Sequence, residues 1–359
     1  MTTSRTTTRP GYQPAGAAPA RSVDVTRFPW PLSAQHYRYS TNVEPAGVPV
    51  TTAAGGWGAE RLVIDEHYRD DLDLRAQILA ADPSRSTCLP HMLPAAWDAL
   101  LWVLAELART DPGHMRLQRV DASADRPVHR WRNDVLGTDV TFGYGRQEDL
   151  GTDPLTFLGT QIQEDIVLLD QREDHLWVDA GCVTFAADWS LGFDTGMGFL
   201  DVHGPVPRVH AEGVIPRAET FMMRLIPGAD YRRTNFSLTA DARLDTSAET
   251  YPQWGSAKRD VVAAWHANGD LDQVGQRLYL RVEVQHLVRL PMSGAVMFLI
   301  RTHLMSLRDL AGVAQWRRQF RAVLADLPAD MADYKGLTAI RPAVLAWLDG
   351  PGAALAADD

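Results

Sequence analysis

The sequence predicts an α+β domain built on an antiparallel sheet. Three patterns point there. From His175 the chain alternates with a period of two, Trp177, Asp179, Gly181, Val183 and Phe185 against Leu176, Val178, Ala180, Cys182 and Thr184, which is strand spacing. Segments 278–290 and 295–302 alternate in the same way and are joined by Pro291-Met292-Ser293-Gly294, turn chemistry that makes them a hairpin. Helical spacing at 68–81, 95–110 and 307–327 flanks these strands on both sides.

Taken in order, residues 1–26 are rich in Thr, Pro, Ala and Gly and read as a disordered leader. Residues 27–330 read as one elaborated domain, opening on Phe28-Pro29-Trp30-Pro31-Leu32, an apolar, proline-stiffened segment expected to pack on the domain surface. In the helix at 95–110, Pro94 suits the first turn, and Leu100, Leu101, Leu104 and Leu107 share a face. Segment 155–169 starts as a helix and carries Gln163, Glu164 and Asp165 as a polar cluster. Segment 221–225 is compatible with helix or strand. A short helix at 340–348 lies in a C-terminal portion, 331–359, that ends as a small acidic tail.

Composition narrows the function. The chain has 359 residues, 45% of them hydrophobic, and a formal charge of −10. That supports a sizeable core and lacks the basic footprint of nucleic-acid or anionic-membrane binders. Only Lys258 and Lys335 are lysines, so nearly all positive charge is arginine, whose planar fork suits carboxylates. Two distant cysteines, Cys88 and Cys182, exclude a disulfide scaffold, a Cys-rich zinc site or an iron–sulfur cluster within the chain. The longest apolar run is broken by Asp98 and Glu106, and the N-terminus shows no basic-then-apolar signal pattern. A cytoplasmic protein is the expectation. No G-x-S-x-G elbow, P-loop, complete G-x-G-x-x-G or C-x-x-C-H is present.

Three segments carry candidate chemistry. One face of the strand 278–290 shows Tyr279, Arg281, Glu283, Gln285, Leu287 and Arg289, and the partner strand adds Arg301. A solvated face with cross-strand ion pairs and a polar floor beneath a ligand both account for this stripe. The other face, Leu280, Val282, Val284, His286, Val288 and Leu290, reads as core. Second, His203 precedes Gly204-Pro205-Val206-Pro207, a frame of restricted backbone that holds an imidazole in one orientation, as a metal or haem ligand requires. His210 is a possible companion. Third, Phe221-Met222-Met223-Arg224-Leu225 and Tyr231-Arg232-Arg233-Thr234-Asn235-Phe236 interleave bulk with arginines. Ordinary core edge explains that mixture, and so does a haem pocket with apolar walls and guanidinium forks for propionates.

Three blocks resemble one family. They are Gln163-Glu164-Asp165-Ile166-Val167-Leu168-Leu169; Trp177 to Phe185 running on through Trp189 to Val202-His203-Gly204-Pro205-Val206-Pro207; and Arg281 to Pro291 followed by Ser293-Gly294-Ala295 and Phe298-Leu299-Ile300-Arg301-Thr302. With Arg233-x-Asn235 they resemble, in order, the alpha subunit of haem-dependent oxidative N-demethylases, over roughly residues 27–330. The departures are an acidic, Gly-rich stretch at 190–198, Asn235-Phe236 for Asn-Trp, and His303 after Ile300-Arg301-Thr302 where the family has Tyr. They point to an altered pocket wall and to an amine different from, and bulkier than, dimethylamine.

The resemblance implies a PAS-like haem-binding domain and an oxygen-dependent monooxygenase that demethylates a small secondary amine and releases formaldehyde. It implies haem b, O2 and electrons from an external NADPH–flavin and iron–sulfur partner. His203 becomes the first choice for the axial iron ligand. Arg224, Arg233, Arg289 and Arg301 become candidates for propionate pairing or a charged distal pocket. Glu283 is the candidate acceptor for an ammonium substrate, and Gln285 is placed to orient a water or bound oxygen. A haem-bearing PAS-type sensor without turnover is the competing class. It would need an output domain, and only a short helix and tail follow residue 330. A haem tailoring oxidase of a larger amine or amino-acid derivative is the third expectation.

Overall fold

The computed structural model describes residues 21–121, 127–208, 212–269 and 271–355. In chain order its strands are β1 (Glu44–Pro45), β2 (Val50–Thr51), β3 (Gly56–Trp57), β4 (Ser86–Cys88), β5 (Met115–Asp121), β6 (Val128–Asn133), β7 (Thr138–Gly143), β8 (Asp165–Arg172), β9 (His175–Cys182), β10 (Tyr231–Ala240), β11 (Leu278–Arg289) and β12 (Val296–Ser306). Seven form one sheet in the order β1-β10-β11-β12-β8-β9-β4, and every pairing in it is antiparallel. The fold is therefore mixed α/β with antiparallel sheets, as the alternation at 175–185 and 278–302 requires. The β5-β6-β7 sheet was not legible, because its strands carry exposed arginines at several positions and little apolar alternation.

The long hairpin carries the rest. Its register sets Glu283 against Thr302 and Val284 against Arg301, and β10 adds Arg233 beside Gln285 and Asn235 beside Glu283. Odd-numbered residues of β11 therefore share a face with Arg233 and Asn235, here called the stripe face. Even-numbered ones share the back face with Arg232, Arg301 and His303.

Helices cover both faces. On the back face, the helix Leu93–Thr110 buries Trp97, Leu100, Val103, Leu104 and Leu107 in a cluster with Ile166, Leu168, Val288, Leu290 and Leu299. A second back-face cluster joins Leu280, Val282 and Met305 to Trp316, Phe320, Ile340, Val344 and Trp347. On the stripe face, Val167, Leu169, Leu287 and Phe298 pack with Phe199, Met222 and Leu225 from the long crossover between β9 and β10.

Several sequence expectations are corrected by this packing. Phe28 and Trp30 do not lie on the surface: both are buried, and Trp30 stacks on Trp316 at 4.7 Å while its indole N–H donates to Gln319 Oε1 at 2.9 Å. Residues 21–26 of the expected leader are ordered against the same cluster through Val23 and Val25; residues 1–20 and 356–359 lie outside the described ones. The core also continues past residue 330, since Met331, Leu337, Ile340, Val344 and Trp347 belong to it. The helical start expected in segment 155–169 is present, as Pro154–Gly159. The chain then extends into β8 because Asp165 accepts from the backbone N–H of Thr184 and Phe185, each at 2.9 Å. Helix 307–327 is two helices, Leu307–Gly312 and Ala314–Asp326, broken where Val313 turns to extended backbone. Segment 221–225 resolves as the end of the helix Val214–Met223.

Candidate functional site

The stripe of β11 is not a solvated face. Arg281 is 1% exposed, Glu283 8% and Gln285 6%, so a ladder of charge lies under cover and must be internally paired. Arg281 does the pairing. Its guanidinium donates to the Leu244 carbonyl at 2.7 Å, Thr302 Oγ1 at 3.0 Å and the Phe185 carbonyl, and its Nε to Glu283 Oε1 at 3.2 Å. Gln285 Nε2 donates to Glu283 Oε2 at 3.0 Å. The Glu283 carboxylate is thus clamped from both sides, yet two oxygens offer about four acceptor positions. Gln285 Oε1 is buried and has no hydrogen-bond partner among the described residues. An acceptor pair, one charged and one neutral, is thereby left with spare capacity at one spot.

Arg233 stands beside them on β10. Its Nε donates to the Thr41 carbonyl at 3.0 Å; the remaining N–H groups of its fork make no hydrogen bond among the described residues. Burial lowers its pKa, and Glu283 opposes that. Its charge is also felt at His203, so the crossover histidine and the stripe share one electrostatic neighbourhood.

His203 closes the short helix Phe199–Val202. Its Nδ1 lies 2.7 Å from the Phe199 carbonyl oxygen, and the ring packs on Phe199 with centroids 4.2 Å apart. A carbonyl only accepts, so Nδ1 carries the proton and Nε2 of the neutral ring keeps its lone pair. Nε2 makes no hydrogen bond among the described residues. Burial holds the imidazole below its ordinary pKa, which keeps that lone pair free. One nitrogen is thus oriented by a backbone acceptor and the other is available, which are the two conditions a metal-ligating histidine has to meet. His210 lies outside the described residues.

The other predicted residues scatter. Arg224 is exposed at the end of the helix Val214–Met223. Arg289 sits on the stripe face at the far end of β11 and donates to Gln171 Oε1 at 2.7 Å. Arg301 does not join the stripe, which corrects the expectation that it shares a face with Glu283. Its register partner is Val284, so it points to the back face, where it pairs with Asp65 and, at 3.6 Å, Asp71.

The back face holds more chemistry than a core needs. His286 and His303 lie there with Arg301, lining a cavity of about 320 Å³ together with Phe28, Trp57, Arg61 and Glu164. Both ring nitrogens of His286 are buried without partners among the described residues, and burial pushes its imidazole down to about 3. Native His286 stays neutral while the unfolded chain takes up a proton below its ordinary value of about 6.5. Stability at this position is therefore lost as pH falls from about 6.5 towards 3. His286→Leu should narrow the gap between urea midpoints at pH 7 and pH 5 relative to the parent protein; an unchanged gap counts against this account.

Sequence reasoning missed Asp188, Tyr334 and the two lysines, which all act electrostatically on the Glu283 neighbourhood. No spacing flags them, although the rarity of lysine was visible. His91, Asp170 and Asp179 also converge, with ligand atoms within 4.8 Å. Arg172 already holds both aspartates, Asp170 at 2.7 Å, so that cluster is a closed ion pair.

The fold and this site define a class: an antiparallel-sheet protein whose crossover histidine, oriented by a backbone carbonyl, lies in the field of the stripe-face guanidinium Arg233, beside a buried acid and amide. The family described as haem-dependent oxidative N-demethylase, alpha subunit-like, matches residues 56–345. The chain belongs to that family, whose name implies an oxidoreductase that depends on haem. Among the described residues no helix is long and apolar enough to cross a membrane.

Proposed function

We propose that this chain is a haem monooxygenase that oxidatively demethylates a secondary amine, with haem b held on the stripe face through His203. The observation that carries the reading is the His203 ring, with Nδ1 committed to the Phe199 carbonyl and Nε2 free. The residues present fit the group. Phe199, Phe221, Met222, Leu225, Leu287 and Phe298 supply apolar wall, and the unbonded fork of Arg233 suits a propionate. Arg289 and Arg224 are further candidates for that role at the margin. The strand order also supports a PAS-like core. Numbering β8 to β12 as first to fifth, they lie in the order third-fourth-fifth-first-second, with the His203 crossover between second and third.

When bound, haem supplies the oxygen-activating, one-electron chemistry that side chains lack. The chain's own residues bind and orient the amine. A secondary ammonium has two N–H donors. Glu283 takes one as a charge-assisted bond and is placed to accept that proton before oxidation. Gln285 Oε1, buried and unpartnered, takes the other. Arg281 fixes the carboxylate rotamer. The net reaction consumes O2, two electrons and two protons. The N-methyl carbon leaves as formaldehyde, and the products are the demethylated amine and water. The electrons come from a partner carrying NADPH, flavin and iron–sulfur groups, since no motif for these exists in the chain.

The test begins with a visible spectrum after haem reconstitution, where a Soret band is expected; its absence would sink the reading. Glu283→Gln should then retain the band and bind dimethylammonium or a bulkier secondary ammonium about ten- to a hundredfold more weakly, the worth of one charged hydrogen bond. Undiminished affinity rejects the role of Glu283. Formaldehyde release from no secondary or tertiary amine, with a surrogate reductase present, argues against demethylation.

A further inference from the structure

Lysine is nearly absent from this chain, two residues among the 35 Lys and Arg, and both lie against the stripe face. Lys335 follows the helix Ala329–Tyr334 at the open edge of β10. Its ammonium donates to Asn235 Oδ1 at 3.0 Å and to the Phe236 carbonyl at 2.8 Å, and it lies 5.0 Å from the centre of the Phe236 ring. Asn235 is the register partner of Glu283. A single cross-strand step therefore separates the lysine's hydrogen-bond partner from the residue proposed to hold the amine.

We propose that Lys335 is a positioning residue of the Glu283 pocket: through its bond to Asn235 it sets the pocket's charge, and so the pH window in which an ammonium substrate is taken up. The inference rests on the reading of Glu283 as the ammonium acceptor. An arginine there would repel the substrate at every pH. A lysine can release its charge. Burial, with Arg233 close by, pushes the Lys335 ammonium down to about 8, against the pull of Glu283. A dialkylammonium, like an ordinary lysine, stays protonated to about pH 10. Between pH 7 and 9 the lysine thus loses its charge while the substrate keeps its own, and attraction to Glu283 is no longer opposed.

The other charged groups facing this corner do not reproduce the effect. Arg233 stays cationic. The Tyr334 hydroxyl is pushed up by burial and by Glu283 and stays neutral. Asp188, beside Ser237 of β10 and Arg281 of β11, bears on Glu283 and is itself faced by Lys258 and Arg281. Lys258 lies near the same turn, since a Cβ built on Gly336 meets its Nζ at 3.4 Å, and burial lowers it too. Among the described residues it is the rival cation that the variants must separate from Lys335.

The experiment is calorimetric titration of the haem-loaded protein with dimethylammonium chloride and N-methylbenzylammonium chloride from pH 7 to 9, in buffers of differing ionisation heat. The parent protein should bind roughly five- to tenfold more tightly at pH 9 than at pH 7 and release a fraction of a proton near pH 8, because coupling between two sites is reciprocal. Lys335→Met, which keeps the apolar stem, should bind tightly and independently of pH with no proton release. Lys335→Arg should bind weakly and independently of pH. A flat parent profile, or one that survives in Lys335→Met, overturns the inference. So does a profile abolished by Lys258→Met and not by Lys335→Met. If Glu283→Gln weakens binding while the Lys335 variants match the parent, this inference alone fails. If neither ammonium binds at any pH, the Glu283 reading fails with it.

Discussion

His203→Ala should yield a folded protein that shows no Soret band, or a displaced one, after haem reconstitution. The expectation follows from how little else the imidazole does. It sits at the end of a four-residue helix and makes one hydrogen bond, to the Phe199 carbonyl. Losing that bond costs on the order of 1 kcal/mol, within reach of an ordinary stability margin. On the proposed reading the iron, by contrast, loses the imidazole that, among the described residues of this site, has an oriented ring and a free nitrogen. Far-UV circular dichroism should match the parent while the visible spectrum does not, and free imidazole added to the variant should restore part of the absorption. An unchanged spectrum in His203→Ala refutes the ligand assignment.

Arg301→Met should cost about 3–5 kcal/mol of folding free energy, the range for leaving a buried charge without its partner. Arg301 is 2% exposed and pairs with Asp65 and Asp71. Burial works against the Asp65 charge, yet Arg301, with a hydrogen bond from Gln163, holds that carboxyl well below the usual range. Arg21 still reaches Asp71 at 2.6 Å in the variant, so Asp65 bears most of the loss. Asp65→Asn in the Arg301→Met background should recover part of it. Guanidinium unfolding reads both effects. A loss under 1 kcal/mol contradicts the structural role, and a normal Soret band in the folded fraction separates that role from the haem-pairing one the resemblance suggested.

Arg301 also shows where sequence reading runs out. Alternation along 278–290 identifies two faces of a strand, and Pro291-Met292-Ser293-Gly294 identifies a hairpin. Neither says which residue of the return strand faces which of the first. Pairing Val284 with Arg301 puts the arginine behind the sheet, because a one-residue change in register moves every side chain to the opposite face. The same logic hid the weight of His286, placed in the core by its parity. Core it is, but beside a cavity and, among the described residues, without partners for either nitrogen.

The restricted backbone after His203 was legible for a different reason. The frame Gly204-Pro205-Val206-Pro207 restricts backbone locally, and local restriction survives without tertiary context. Trp30 is the reverse case: its prolines suggested a surface strap, and only Trp316, 286 residues away in sequence, makes it core.

The sequence by itself determined the strand and helix periods, the antiparallel hairpin, the histidine in its proline frame, the resemblance to its family and the scarcity of lysine. Only the tertiary structure decided that the polar stripe is buried, that Arg301 stands apart from it, and that both lysines lie against it. The reason is physical. Periodicity and proline restriction act over a few neighbouring residues, whereas burial, register and charge pairing join residues hundreds of positions apart through a sheet order no local pattern encodes.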